Sequence, residues 1–109
     1  MKTLFRFILP ILFIMPLLAC EIGQGEQLVI KANNEWIKGR NHSAIEIFKS
    51  ILKKYPSGRL AEEALFRLGE IYHFSLNNSS QAISYFQEVI EINKNGSFGL
   101  DSQQYIAEI

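Results

Sequence analysis

Cysteine, tryptophan and aspartate each occur once in this chain of 109 residues, as Cys20, Trp36 and Asp101. One thiol excludes an internal disulfide framework and any thiolate-rich metal site. Histidine is nearly as scarce: His42 falls in a turn and His73 late in a helical pattern. They are not spaced i, i+4 as on a zinc-binding helix, and no cysteine or further histidine completes a site. Glu62-Glu63 is a carboxylate pair in sequence, but adjacent helical residues diverge by about 100°, and acids in a first turn complement the helix dipole. Gly23-x-Gly25 lacks the strand and helix of a phosphate loop. The reading is therefore non-catalytic, with no cofactor, no metal and no small-molecule substrate. Charge is balanced at 11 basic and 11 acidic residues, without a basic stripe for nucleic acid or a polybasic cluster for anionic lipid. No window alternates like a strand between hairpin turns. The longest apolar run, Phe7 to Ala19, is shorter than the ~20 residues a spanning helix needs, and Pro10 and Pro16 interrupt it.

That run nevertheless has a recognisable layout. Lys2 and Arg6 precede it, and it closes on Leu17-Leu18-Ala19-Cys20, with the cysteine directly after a small residue. The segment resembles the lipobox of bacterial lipoproteins. The resemblance implies that residues 1–19 are a cleavable signal peptide and that Cys20 becomes a lipidated N-terminus, carrying acyl chains such as palmitate into the membrane. An uncleaved anchor and an ordinary secreted protein with a lone thiol are the alternatives. Glu21 to Glu26, with Gly23 and Gly25, reads as a short tether, so residues 20–26 form the lipidated N-terminus and its link to the domain. In such lipoproteins an aspartate after the cysteine favours inner-membrane retention. Glu21 stands there instead, which tilts the expected location to the outer membrane facing the periplasm, with the inner membrane or the cell surface as the other options.

From residue 27 to 109 the pattern is helical. Ala44, Ile45, Phe48, Ile51 and Leu52 recur at spacings of three and four, as do Ala82, Ile83, Phe86, Val89 and Ile90. Ala61, Ala64, Leu65, Leu68, Ile71 and Tyr72 form a third stripe. Gly39-Arg40-Asn41, Tyr55-Pro56-Ser57-Gly58, Asn77-Asn78-Ser79-Ser80 and Asn95-Gly96-Ser97 punctuate them. The pattern predicts five helices near 26–39, 42–55, 60–76, 80–93 and 98–109. Asn41 and Asn78 are expected to serve as helix caps.

The second and fourth of these helices are copies. Ala44-Ile45-x-x-Phe48-x-x-Ile51-Leu52 matches Ala82-Ile83-x-x-Phe86-x-x-Val89-Ile90 at an offset of 38 residues, and Gly58 matches Gly96 at the same offset. A fixed period in this range signals stacked supersecondary units. Between the copies lies Leu65-x-x-Leu68-Gly69-x-x-Tyr72, and the whole resembles the tetratricopeptide repeat, whose usual period is ~34 residues. The resemblance implies an all-α stack of antiparallel helix pairs, with Gly69 opposite Ala82 at a close approach and Phe86 plugging the space below. In the first unit Ala32 replaces the glycine and Trp36 supplies aromatic bulk. The last helix, with Ile106-Ala107 in place of Leu68-Gly69, reads as the opening of a third unit that caps the stack. The style of Tyr-Pro-Ser-Gly-Arg before Ala-Glu-Glu-Ala-Leu-Phe-Arg-Leu-Gly is similar to envelope repeat proteins of the outer-membrane β-barrel assembly and Tol-Pal systems.

The resemblance also implies a binding groove on the first helices of the units. It assigns Glu63, Phe66, Glu70 and His73 to the concave face in the second unit, Val29, Asn33 and Trp36 in the first, and Asp101, Gln104 and Glu108 in the last helix. Phe66 is expected to be free on that face. Trp36 has no neighbouring aromatics to form a cage, which favours packing over a ligand platform. The alternative is a solvated face with an incidental aromatic. Two roles follow: a membrane-tethered protein-interaction module of the cell envelope with a protein or peptide partner, or a structural subunit of a larger envelope assembly.

Overall fold

The computed structural model describes residues 22–109; the signal segment 1–19, Cys20 and Glu21 lie outside the described residues. Among the described residues the chain is all-α, with no strand. The helices are α1 (Gln24–Ile37), α2 (Asn41–Lys54), α3 (Arg59–Glu70, continued by a π-helical turn Ile71–Ser75), α4 (Ser79–Asn93) and α5 (Ser97–Glu108). None is long and apolar enough to cross a membrane. α1 starts inside the stretch expected to be a tether. Gly25 is buried there against Leu60 and Tyr55, so closely that a Cβ would run into Leu60 and crowd the Tyr55 ring. It acts as a contact residue and not as a flexible spacer.

Short loops force neighbouring helices to be antiparallel, and each helix packs chiefly on the next: α1 on α2, α2 on α3, α3 on α4, α4 on α5. Two cores result. Ala32, Ala44, Phe48, Ile51, Leu68 and Ile71 join α1, α2 and α3, all fully buried. Phe66, Ala82, Phe86 and Val89 make the second core, against which Phe98, Tyr105 and Ile106 of α5 pack. Each such large side chain contributes about 1.5–3 kcal/mol by leaving water. The apolar stripes of the sequence therefore map onto the buried faces, and the repeated helices α2 and α4 bury corresponding residues in separate cores.

Gly69 is the tightest point in the second core. A Cβ built on it would lie 2.5 Å from Phe86 Cε1 and 2.7 Å from Cδ1. The Phe86 ring has no room to retreat, because the Tyr105 ring stacks on it with centroids 5.1 Å apart. The absent side chain is thus what lets the α4 aromatic reach the α3 backbone.

The helix ends differ in an instructive way. α1 finishes with Gly39 at φ +79°, and the Arg40 N–H donates to the Glu35 carbonyl at 2.9 Å. This is the six-to-one closure that left-handed residues permit after a helix. After the π turn, Asn77 takes the left-handed place at φ +50°, and the Asn78 N–H donates to the Tyr72 carbonyl at 2.8 Å. That closure spans one residue more. Asn78 also caps α4, its side chain accepting from the Gln81 N–H at 3.1 Å. Asn41 does not cap as expected: it is the first residue of α2, whose cap residue Arg40 makes no side-chain cap bond.

Candidate protein-interaction site

The first helices of the units, α1, α3 and α5, form the face assigned to partners. α3 contacts both of the others, and side chains tie them together. The Trp36 indole N–H donates to Ser75 Oγ at 2.8 Å, joining the end of α1 to the π turn. The Tyr105 hydroxyl donates to Glu70 Oε2 at 3.3 Å, joining α5 to α3. Glu70 is also paired with Arg67 one turn earlier. Partial burial, followed by the Glu70 charge, holds the Tyr105 phenol above the usual tyrosine value, which keeps it protonated as the donor to Glu70.

The residues assigned from sequence separate into three groups. Asp101, Gln104 and Glu108 are exposed along one stripe of α5, with the Gln104 amide donating to Glu108 Oε1 at 3.0 Å. Asn33, Trp36, Glu63, Glu70 and His73 are half-buried. Phe66 and Val29 do not lie free on the face. Phe66 is only 4% exposed, within the second core. Its ring centroid lies 5.1 Å from Phe98, 5.7 Å from Phe86 and 5.9 Å from Tyr105. The physical reason is α5: a position open on an isolated pair of helices is covered once a third first-helix packs beside it. Val29 is buried in the first core.

The structure adds residues that were not singled out. Tyr105 lies between Asp101 and Glu108 on the outward stripe of α5, a position that helical spacing from Asp101 already allowed. It meets His73 at 5.9 Å and Phe74 edge-on at 5.6 Å. Phe74 itself is 58% exposed. Its signal was a mismatch of periods: Ala32 to Gly69 is 37 residues, whereas Ala44 to Ala82 is 38. The surplus residue has to be absorbed near the end of α3. Asp101, Gln104 and Tyr105 line a shallow hollow on α5, and Glu63 lines another with Glu26, Arg59 and Leu60. Among the described residues no group of three or more histidine, cysteine, aspartate or glutamate side chains could hold a metal ion.

Two tetratricopeptide-repeat family models match the chain, one over residues 31–58 and the other over residues 62–95. The first covers the second half of α1 with α2, the second covers most of α3 with α4, and the break between them falls at the first residues of α3. The chain is a tetratricopeptide-repeat protein, and such repeats are in general non-catalytic modules for protein–protein interaction. No curated protein and no solved structure matches the chain.

Proposed function

We propose that this protein is a non-catalytic, membrane-tethered interaction module of the bacterial cell envelope, anchored through acylated Cys20. Its binding surface is the face of α1, α3 and α5 that carries Asn33, Trp36, Glu63, Glu70, His73, Asp101, Gln104 and Glu108, and its partner is a protein or peptide in the envelope. The outer membrane, facing the periplasm, is the favoured location. The observation carrying this reading is the α5 stripe together with the half-buried polar residues of α1 and α3. They lie on helices that the repeat architecture holds side by side, and Asp101, Gln104 and Glu108 are exposed rather than spent on packing.

Mass spectrometry of the mature protein tests the anchor. An N-terminal Cys20 bearing about three acyl chains is expected, well beyond the marginal membrane binding of one chain, and a free thiol there would defeat the anchor. Cys20→Ser should leave an unprocessed precursor. Co-purification in mild detergent tests the module. Capture should weaken with salt and with charge reversal at Glu63 and Asp101, chiefly through a slower association rate.

A second reading, as a structural subunit incomplete on its own, is favoured by the apolar groups at the ends of the stack. Ile30 and Ile37 on α1 are 53% and 82% exposed, and Leu100 on α5 is 56% exposed. A stoichiometric complex that survives high salt would select this reading.

A further inference from the structure

The one-residue expansion of α3 gives this chain a feature its first unit lacks. In α1 the closing hydrogen bond runs from Arg40 back to Glu35, whereas after α3 it runs from Asn78 back to Tyr72. The intervening residues Ile71–Ser75 adopt a π turn, a form that usually marks an inserted residue and often a functional site. The turn holds Phe74 outward, 58% exposed. The ring is not loose: His73 lies 4.5 Å from it and Tyr105 meets it edge-on at 5.6 Å, 78° between planes. Trp36 fixes the next residue, Ser75, from the α1 side. An exposed aromatic that is already ordered loses little further freedom when a partner covers it.

Charge gives the lip a direction. Tyr105 shares its stripe on α5 with Asp101 and Glu108, and α5 contains no lysine or arginine. Among the described residues neither carboxylate has a cationic partner, the ion pairs there being Arg40–Glu35 and Arg67–Glu70. An apolar anchor with carboxylates on one flank complements a segment whose cationic side chain lies on the α5 side of an apolar one.

We propose that Phe74, His73 and Tyr105 form a docking lip for an extended protein segment, in which an apolar side chain packs on Phe74 and an adjacent lysine or arginine is held by Asp101 and Glu108. The proposal rests on the interaction-module reading above and names the chemistry of its partner.

The intact chain, isotope-labelled in non-ionic detergent micelles, tests it by amide chemical shifts. Three synthetic peptides serve as probes: Gly-Ser-Phe-Lys-Lys-Ser-Gly, its twin with both lysines replaced by glutamate, and its twin with phenylalanine replaced by alanine. Saturable shifts confined to residues 73–76 and 101–108 are expected with the first peptide, with at least tenfold weaker binding of either twin. Phe74→Ala should weaken the first peptide at least tenfold while the remaining amide spectrum stays folded. The pair Asp101→Lys and Glu108→Lys, at exposed positions, should reverse the preference toward the glutamate twin. Absence of saturable shifts, shifts elsewhere, or equal binding by Phe74→Ala would overturn the lip. A natural envelope partner captured equally by wild type and Phe74→Ala would also overturn it, while leaving the module reading in place. The module reading itself falls if capture is indifferent to Glu63 and Asp101 reversal.

Discussion

α1 and α3 hold equivalent places in their repeats, but they end differently and are covered differently. α1 stops after a regular turn at Gly39, and its apolar face is filled by α2 with help from α3. α3 runs on through a π turn to Asn77 and is flanked by α2, α4 and α5. The pair of equivalent residues Val29 and Phe66 shows the consequence: both are buried, but the larger one requires the extra helix to cover it. A repeat in the interior of a stack can carry a bulky apolar residue on its first helix, because a neighbour shields it. This is the nearest-neighbour logic of solenoids within one small chain.

The largest effect should come from removing that neighbour. Deleting residues 97–109 strips Phe98 and Tyr105 from Phe66 and Phe86. Stacks usually need about three units for stability, and this chain has two and one helix of a third. Thermal melting followed by circular dichroism should show loss of the cooperative transition or aggregation. A truncated chain melting cooperatively at the original temperature would break the comparison.

Substitution at the equivalent positions should rank next. Phe66→Ala should cost about 3–5 kcal/mol, the range for emptying an aromatic site in a core, and denaturant unfolding would measure it. Val29→Ala removes fewer atoms and should cost less. If the two cost the same, α5 covers Phe66 without packing on it. Gly69→Leu should follow at about 1–3 kcal/mol or more, since overpacking is destabilising and the Phe86 ring already sits where a Cβ would go.

How far these features were legible in the sequence follows the same division. Periodicity located the five helices because buried faces recur every three to four residues whatever lies opposite them. The repeat motif singled out Gly69 and Phe86 for the tight contact, since the need for a missing side chain is local to the helix pair. Phe66 was misplaced for the opposite reason: its burial depends on α5, thirty residues away, and helical spacing on α3 says nothing of that. The π turn left only the one-residue mismatch between Ala32–Gly69 and Ala44–Ala82 as its trace. The anchor is read from the Leu17-Leu18-Ala19-Cys20 pattern, which a local motif carries without reference to the fold.

A smaller effect should report on the link between the two units. Trp36→Phe keeps most of the ring against the first core but removes the N–H that Ser75 accepts, and Ser75→Ala removes the acceptor. A typical hydrogen bond contributes about 0.5–1.5 kcal/mol, so the coupling from a double-mutant cycle should fall in that range. Near-zero coupling would mean the π turn is held by backbone closure alone.

The smallest effect concerns pH and separates the tyrosine of the α3–α5 junction from the rest. Both Tyr105 and Tyr85 have phenols raised above the ordinary value of 10.0, Tyr105 by desolvation and then Glu70, Tyr85 chiefly by desolvation with Lys49 opposing. A raised native value means the folded chain holds the proton more tightly than the unfolded chain does. The resulting stabilisation is complete below the unfolded tyrosine value of about 10 and is lost as pH rises through the higher native values. Denaturant midpoints should therefore be flat in this respect near neutrality and decline above about pH 10. Tyr105→Phe retains the ring that stacks on Phe86 but has no phenol to ionise beside Glu70, so its alkaline decline should be shallower than that of the wild type. Tyr85→Phe should make the alkaline decline shallower too, without disturbing the α3–α5 junction. If Tyr105→Phe declines as steeply as the wild type, the phenol is neither desolvated nor facing the Glu70 carboxylate in solution. The contact between α3 and α5 would then be carried by the aromatic rings alone.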